Sequence, residues 1–554
     1  MGAAIRPVVT GHAAAGKPVF LSDGAPHIDA SFRPELLDEL PSRWSLCPEA
    51  APRPLEPAGE SRYISGALFV DVSRKGGSDA MNKPVSRFGR DAWVPVQSYL
   101  HSTVPTFRFE AEIYDCEVVG EIPTGISGTF FRCGGDTLYP TLEGDNLNNG
   151  DGVLAAFHFQ DGYVDFIQRY VKTERFLLER RNRRRLYGHY RNAYTDDPST
   201  AGTDRDNTGN TTAWVHHGKL FALREDSIPY ELDPITLETK GLAAFRDQLR
   251  SKTMTAHPKI DPVTGDWWSY GQFSEKKFTG EMSLHVIDTT GKVIREEEFR
   301  IPYPGMTHDW AVTREHVIFH LWPLTVDVER MKQGGQFYAF DNDLKPMFGV
   351  MPREGTTADI RWFEVEDGAI AHFMNAYTEG RKVHVDGGTH SGHFFTFFEE
   401  AHGRPATEFR PGTFSRITFD LDTGEVSMRP LTNGLGGGMP EIDDRFAMQK
   451  YRYGFSTSRN GLVRYDTLTG GRQEHVTEGN AQEPVFVPRS PDAPEGDGWL
   501  LSLVTRPDNR SDLIILDAMN LEAEPVATVR LPFGQPWLFH GCWSDAPGGA
   551  SLPR

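Results

Sequence analysis

The chain has 554 residues, of which 38% are hydrophobic and 24% are charged, a composition typical of a globular protein with a large core. Its formal net charge of −19 argues against a nucleic-acid partner, because binding to phosphates requires a basic surface. No stretch approaches about 18 uncharged apolar residues, so no integral membrane segment is expected.

The first hundred residues differ from the rest of the chain. They contain Pro- and Ala-rich stretches such as residues 50–57, a Gly-Gly-Ser break at residues 76–78, and few alternations of apolar and polar residues. We therefore interpret residues 1–102 as an N-terminal extension that packs outside the main domain and contributes no metal ligand. Residues 103–554 form that main domain in this interpretation.

From Phe107 onward, short alternating segments follow one another, each bounded by Gly, Pro or Asp. In a recurring unit, a strand ends near an Asp, a turn rich in Thr and Gly follows, and a second strand leaves. An Asp at the turn entry bonds its own backbone, and Gly supplies the positive φ. Such hairpins occur at residues 230–239, 260–270, 285–294, 417–428, 463–475 and 514–525. Repeated hairpins without intervening helical patterns predict an all-β fold, a β-propeller, for which we expect seven blades.

Four of the 19 histidines stand out by their context at predicted strand ends: His257 in TAHPKIDP, His308 in MTHDWAVT, His372 in IAHFMNAYTEG and His540 in LFHGCW. Taken singly, each is more often a satisfied buried histidine than a ligand. Their spacings of 51, 64 and 168 residues put one on each of four blades, so that they could converge on the propeller axis. Neutral imidazoles suit iron, zinc and copper, and four of them leave open positions on an octahedral metal.

Other histidines are weaker metal-ligand candidates, and none belongs to an HExxH motif. Two HxD triplets occur, His27 with Asp29 and His384 with Asp386, and either could open a two-histidine, one-carboxylate iron site. Neither triplet is accompanied by an independent third ligand. They therefore carry less weight than the four separated histidines.

The strings AHPK, THDWA, HFMNAY and FHGCW, with EPVFVPR at residues 483–489, resemble the signatures of the carotenoid cleavage oxygenase family. The resemblance extends from about Phe107 to the C-terminus. Within the family, FRCGGDTLYP, NNGDG, FIQRYVKTERF and LFALREDSIPYELDP are most similar to the lignostilbene dioxygenase branch. The resemblance implies a seven-bladed propeller capped by helices and loops, in which the Fe(II) ligands are His257, His308, His372 and His540.

The family also places glutamates behind the histidines, where each accepts a hydrogen bond from the ring nitrogen that faces away from iron. By resemblance, Glu225 in ALREDS and Glu483 in QEPVFV occupy two of these positions. The third differs, because the family pattern is usually Glu-Phe-Pro and this sequence reads GMPE at residues 438–441. Either Glu441 reaches its histidine by a local shift, or that histidine has a different partner.

The resemblance implies that Fe(II) and O2 cleave the double bond of a small aromatic alkene into aldehyde fragments, without an organic cofactor. In the lignostilbene branch, a Tyr and a Lys hold the substrate's 4-hydroxyl and ease its deprotonation. The matching positions are Tyr170 in QRYVKT and Arg224 in ALRED, and we expect Phe539 to form an aromatic wall beside His540. Because a guanidinium is longer and cannot shuttle a proton, substrate choice could differ from that of the branch.

Two alternatives stay open. An apocarotenoid cleavage dioxygenase would use the same iron site with a longer apolar tunnel, and a catalytically silent propeller would serve as a binding scaffold. The sequence does not choose among stilbenoids, phenylpropenoids and apocarotenoids, and it does not decide whether the chain forms a homo-oligomer.

Four widely separated cysteines without a CxxC pair favour a reducing, cytoplasmic location.

Overall fold

The structure, a computed structural model, describes residues 106–142, 145–274, 278–405 and 407–545, together with the short strands Val9–His12, Pro18–Leu21, Val96–Gln97 and Thr103–Val104. The chain divides into two compact units, residues 1–74 and 75–554. In the first unit, Val9–His12 pairs antiparallel with Pro18–Leu21. Most of the predicted extension lies outside the described residues, and its packing stays a prediction.

The second unit is built almost entirely from antiparallel β-sheets, as the hairpin pattern predicts. Its largest described sheet has nine strands, in the order Thr239–Leu242, Tyr230–Leu232, Lys219–Leu223, Thr212–His216, Leu538–Asp545, Gly128–Asp136, Asp151–Gln160, Tyr163–Tyr170 and Ala111–Ile113. Two groups of strands meet in this sheet through one parallel pair, Thr212 with His540. The last strand of the chain is thereby held against a strand from the first half.

Five further sheets of four or more strands complete the described part of this unit. Three have four strands each: Lys259–Ile260, Trp267–Gln272, Glu281–Ile287 and Val293–Arg300; Ala369–Glu379, Lys382–Ser391, Arg410–Asp420 and Val426–Leu435; and Gly438–Ile442, Tyr453–Thr457, Gly461–Asp466 and Arg472–Val476. A seven-stranded sheet contains Gly305–Met306, Trp310–Val312, His316–Val326, Tyr338–Phe340, Met347–Pro352, Arg361–Glu364 and Glu399–Glu400. A six-stranded sheet contains Glu117–Gly120, Asn480–Ala481, Val485–Pro488, Gly498–Thr505, Ser511–Asp517 and Ala527–Arg530.

The described helices are short. Two are α-helices, Glu174–Asn182 and Val328–Lys332, and the 3-10 helices are Leu147–Asn149, Ala193–Thr195, Pro198–Thr200, Ala244–Asp247, Thr357–Asp359, Ala401–Gly403 and Asp444–Phe446. The longer α-helix begins at Thr173, whose side chain accepts a hydrogen bond from the backbone N–H of Phe176. None of the described helices is long and apolar enough to cross a membrane.

Antiparallel strand pairs are present at five of the six predicted hairpins, and at residues 514–525 the first strand is followed by a longer loop, so that the second strand begins only at Ala527. In the turn between Lys259–Ile260 and Trp267–Gln272, Asp261 Oδ1 accepts from the backbone N–H of Val263 at 2.8 Å, and Gly265 has a φ of +74°. Both features are those that the turn residues predict, because Asp replaces a backbone acceptor and Gly tolerates the left-handed region. The count of seven blades stays a prediction.

Apolar side chains from neighbouring sheets pack against each other. One cluster joins Phe130 of the nine-stranded sheet to Leu513 of the six-stranded sheet, and another joins Ile318 of the seven-stranded sheet to Ile417 of the next. Each such side chain contributes about 1.5–3 kcal/mol when it is fully buried. The four histidines lie in or beside strands of these sheets. His372 lies in Ala369–Glu379 and His540 in Leu538–Asp545, and His257 and His308 lie two residues before the strands Lys259–Ile260 and Trp310–Val312.

Candidate metal centre and aromatic cavity

The rings of the four histidines lie close together, although up to 283 residues separate them (His257 to His540). Their ring centroids lie 4.7–5.1 Å apart in five of the six pairs. The Nε2 atoms of His308 and His372 are 3.1 Å apart, and a nitrogen of His257 lies within 4.8 Å of both rings' ligand atoms. Two nitrogens that each lie about 2 Å from one ion, at a right angle, are about 3 Å apart.

The residues fit a divalent transition metal. His257 Nε2 is buried and has no hydrogen-bond partner among the described residues, a state that costs free energy unless a ligand satisfies the atom. Burial lowers the pKa of His257 and of His372 well below the ordinary value, and the neighbouring histidines lower it further. Both rings are therefore neutral and offer a lone pair. A set of neutral imidazoles suits iron, zinc or copper.

Two glutamates lie behind the histidines. Glu225 Oε2 is 2.8 Å from His308 Nδ1, and Glu483 Oε1 is 2.6 Å from His540 Nδ1. A carboxylate in this position accepts a hydrogen bond from the protonated ring nitrogen, Nδ1, and leaves Nε2 free to face a metal. The tautomer and the orientation of both rings follow from these contacts.

Each glutamate is in turn held by a buried arginine. Arg191 donates to Glu225 Oε1 at 2.8 Å, and Arg132 donates to Glu483 Oε2 at 2.6 Å. Burial would raise the pKa of both glutamates, but the arginines and histidines lower it, so that the pKa of Glu225 and of Glu483 lies below the ordinary value. Both carboxylates are therefore ionised. The sequence analysis missed the two arginines, although a charged residue within the apolar strand Gly128–Asp136 is a signal of a buried ion pair.

A small cavity of about 50 Å³, lined by aromatic side chains, lies beside the histidines. Its lining residues are Asn148, Tyr190, Thr211, Arg224, Glu225, Met306, His308, His372, Phe394, Phe395, Phe397, Phe398, Met439, Phe539 and His540. Arg224 and Phe539, both predicted as pocket residues, line this cavity together with three of the four histidines. A second, polar cavity of about 490 Å³ reaches His257, His372 and His540 and is lined by Lys259, Asp309, Glu441 and Asp444, among others.

Tyr170 is not part of the aromatic cavity, and the prediction that it lines the pocket is wrong. Its hydroxyl donates to Asp136 Oδ2 at 2.7 Å, and its ring stacks on Phe176 with the centroids 5.1 Å apart. The strand Tyr163–Tyr170 holds this side chain in a separate buried cluster. Tyr190 occupies the cavity instead, with the Arg224 guanidinium 5.2 Å from its ring centroid.

Tyr190 and Arg224 supply a hydroxyl and a cation to the same part of the cavity. Burial raises the pKa of Tyr190 to about 12, although Arg191 and Arg224 lower it, so its hydroxyl stays protonated and can donate. That hydroxyl lies 3.3 Å from Glu225 Oε1, a long hydrogen bond. Arg224 is held by Asn210 Oδ1 at 2.8 Å and by Asp226 at 3.2 Å. The two side chains are thus held near Glu225, which in turn hydrogen-bonds to His308.

The HxD triplet at His384 and Asp386 takes no part in this site. His384 Nδ1 lies 2.9 Å from Thr418 Oγ1, and both oxygens of Asp386 accept from the Arg416 guanidinium. These contacts are internal to one sheet. The other triplet, at residues 27–29, lies outside the described residues.

Residues 105–545 match the family described as retinal pigment epithelial membrane protein. The chain belongs to this family, the carotenoid oxygenase family that its motifs indicate. It is 41% identical to isoeugenol monooxygenase from Pseudomonas putida over 473 residues, which cover 80% of this chain and 98% of that protein. It is 37% identical to lignostilbene-alpha,beta-dioxygenase isozyme III from Sphingomonas paucimobilis over 484 residues, or 82% of this chain and 98% of that protein.

Among solved structures, lignostilbene dioxygenase from Pseudomonas brassicacearum is similar with a TM-score of 0.77 at 36% identity. The match covers 84% of this chain and the whole of that one. The propeller of the carotenoid oxygenase family is therefore the fold of this chain, as the sequence predicts.

This member of the carotenoid oxygenase family differs at its third glutamate position. No described carboxylate hydrogen-bonds to His372, and Glu441 lines the polar cavity without a hydrogen bond to any of the four histidines. The strand Gly438–Ile442 shifts register between Gly438 and Glu441. Gly438 pairs with Thr457 and Glu441 with Phe455, so the two positions do not follow one regular strand register. Burial, Asp444 and Glu483 together raise the pKa of Glu441 well above the ordinary value.

This arrangement predicts different effects for three carboxylates. Glu225→Gln and Glu483→Gln should each lower metal affinity by about 10- to 100-fold, because the amide cannot accept from the histidine and the arginine as a carboxylate does. Glu441→Gln is the matched control and should leave the affinity unchanged. Titration of Co(II) into the three variants measures the effect. A loss in Glu441→Gln as large as in the other two would contradict the assignment.

Proposed function

We propose that the protein is a non-haem iron(II) dioxygenase that cleaves the C=C bond of a phenolic alkene with O2 and releases aldehyde products. One observation carries the proposal: three of the four clustered histidines line the aromatic cavity together with the Tyr190–Arg224 pair. The isoeugenol monooxygenase and lignostilbene dioxygenase relatives, at 41% and 37% identity, support a stilbenoid or phenylpropenoid substrate.

The residues that would hold Fe(II) are His257, His308, His372 and His540. When bound, the metal supplies the capacity to reduce O2, which no side chain in the cavity has. Glu225 and Glu483 keep the protons of two rings on Nδ1, so that Nε2 stays available as a ligand. Arg191 and Arg132 prevent these carboxylates from turning away.

Arg224 and Tyr190 would bind the phenolic hydroxyl. A cation within a few Å favours the ionised form of a phenol, and the neutral Tyr190 hydroxyl can donate to its oxygen. An ionised phenol releases electron density through the ring to a conjugated alkene. Arg224 remains protonated throughout, because a guanidinium does not lose its charge at neutral pH. Its role is therefore to position and stabilise the phenolate anion.

The remaining walls suit a flat, apolar substrate. Phe394, Phe395, Phe397 and Phe398 form a continuous set of ring contacts with centroids 4.5–6.3 Å apart, and Phe395 lies 6.0 Å from the His308 ring. Such rings pack on the faces and edges of an aromatic substrate. They also exclude water from the alkene, which strengthens the electrostatic effect of Arg224.

An assay of products tests the proposal against its alternatives. Iron-loaded protein is incubated with O2 and a panel of 4-hydroxylated stilbenes, 4-hydroxylated phenylpropenes and apocarotenoids, and aldehydes are identified by mass spectrometry. We expect cleavage of phenolic alkenes, because an apolar polyene leaves the buried Arg224 without a polar partner from the substrate. Cleavage of apocarotenoids alone would favour the apocarotenoid dioxygenase. Protein that binds no metal would favour a binding scaffold.

The metal site should not depend on the N-terminal extension. All four histidines, both glutamates and both arginines lie within residues 106–545. Protein that lacks residues 1–102 should therefore bind the same amount of iron per chain as the full-length protein. Iron loss in a truncated protein that keeps its β-sheet circular dichroism would contradict this expectation. The cytoplasmic location and the oligomeric state stay predictions.

A further inference from the structure

Asp309, which follows His308 in the chain, makes an unusual set of contacts. The residue is 2% exposed. Its Oδ2 accepts from the backbone N–H of Phe373 at 2.8 Å. Its Oδ1 accepts from the backbone N–H of Trp310 at 2.7 Å and lies 2.9 Å from Lys259 Nζ. One buried carboxylate therefore has three donors, and one of them is charged.

These donors belong to chain segments that carry metal-binding histidines. Phe373 follows His372 directly, and Lys259 is two residues beyond His257. With its own neighbour His308, Asp309 thus contacts three of the four histidine-bearing segments, which come from three different sheets. No other described carboxylate hydrogen-bonds to backbone or side chains of all three.

Trp310 adds a second connection between the same segments. Its indole N–H donates to the backbone carbonyl of His257 at 2.8 Å. The Trp310 side chain is fully buried, so the direction of this N–H is fixed by packing. His308 is thus followed by two residues that hydrogen-bond to the other segments. Asp309 bonds to the backbone next to His372, and Trp310 bonds to the backbone of His257.

We propose that Asp309 is a positioning residue that sets the relative placement of His257, His308 and His372 before a metal binds. A site whose ligands are already in place loses less free energy to reorganisation on binding than one whose ligands must be gathered. Charge-assisted hydrogen bonds from a buried carboxylate are suited to this role because they are short and directional. The inference rests on the metal-binding part of the proposed function, but on neither its substrate nor its reaction.

The test is a Co(II) titration of full-length protein, without alkene and without O2. Asp309→Asn keeps the size of the side chain but has one acceptor oxygen where the carboxylate has two, and it has no charge to pair with Lys259. We expect the Kd for Co(II) to rise by about tenfold, in the range of other changes outside the ligand set. We also expect the visible Co(II) absorption band, which reports ligand geometry, to change in position or intensity.

Asp386→Asn is the matched control. Asp386 is also fully buried and is paired with the Arg416 guanidinium, at 2.7 and 2.6 Å, but its described side-chain hydrogen bonds, from Arg416 and Tyr451, do not come from the histidine-bearing segments. Both variants should melt at a lower temperature without metal, whereas only Asp309→Asn should bind Co(II) more weakly. Wild-type Kd and spectrum in Asp309→Asn, or an equal rise of the Kd in Asp386→Asn, would overturn the proposal.

Two further variants cover the case in which Asp309→Asn does not fold. Lys259→Met removes only the ion pair, at a side chain that is 24% exposed, and Trp310→Phe removes the indole N–H bonded to His257 together with part of a buried ring. Each should raise the Kd for Co(II) in the same direction by a smaller factor. Wild-type Co(II) binding in both variants would overturn the proposal. Because the assay needs no catalysis, a failure of the dioxygenase assignment would not alter its outcome.

Discussion

His372→Ala should cause the largest loss of activity of any single substitution considered for this protein. The His372 ring contacts the other three histidine rings at 4.8–5.1 Å, so its removal takes a nitrogen from the middle of the set. We expect bound iron to fall to background and aldehyde formation to fall by more than about 100-fold, beyond the 10- to 100-fold effect of residues behind the ligands. Metal analysis after anaerobic loading and an aldehyde assay measure the two effects.

His285→Ala is the matched control for this substitution. His285 is fully buried, its Nε2 lies 2.6 Å from Ser283 Oγ within its own sheet, and burial lowers its pKa to about 4. This variant should be less stable and should still bind one iron per chain. Equal iron loss in the two variants would show that the effect of His372→Ala comes from the fold and would remove the support for a four-histidine site.

Masking the substrate's phenolic hydroxyl as a methyl ether should slow cleavage by about 100-fold, with a much smaller change in KM. The ether cannot ionise, so Arg224 has no anion to stabilise as electron density moves toward the alkene. An interaction that is strongest in the transition state appears in kcat more than in binding. Steady-state kinetics with a matched phenol and methyl ether, cleaved by the same iron-loaded protein, give the comparison.

Variants of the two tyrosines assign the effect to a residue. Tyr190→Phe should slow cleavage of the phenol and leave cleavage of the ether unchanged, whereas Tyr170→Phe should leave both rates unchanged because its hydroxyl bonds to Asp136 outside the cavity. Arg224→Lys keeps the cation and should retain the preference for the phenol, and Arg224→Met should lose it. If the ether is cleaved as fast as the phenol, the role of the Tyr190–Arg224 pair fails and the apocarotenoid alternative gains.

Features that depend on neighbouring residues were predictable from the sequence. The hairpin turns form because an Asp and a Gly a few residues apart satisfy the turn, as Asp261 and Gly265 do. The histidines were found because each lies in a short motif that resembles one of the family's signatures. Glu225 and Glu483 were found in the same way, each from the residues beside it.

Features that depend on contacts between distant segments were decided only by the tertiary structure. Arg132 and Glu483 form an ion pair across 351 residues, and nothing beside either residue in the sequence predicts the other. Glu441 makes no described hydrogen bond to His372, and the register of its strand shifts between Gly438 and Glu441 in the pairing with Tyr453–Thr457. The contacts of Asp309 come from Phe373 and Lys259, which lie in two other strands and approach Asp309 only in the folded chain.

The two tyrosines show most clearly the difference between features set by neighbouring residues and features set by distant contacts. Tyr170 and Tyr190 are both buried aromatic residues with hydrogen-bonded hydroxyls, and their local sequences do not distinguish a structural tyrosine from one that lines a cavity. The propeller class, the cluster of four histidines and its two glutamate contacts were predictable from the sequence, because short motifs encode them. Which tyrosine meets Arg224 was decided by the packing of residues 183–211 against the sheets, because long-range contacts and not chain neighbours set the shape of the cavity.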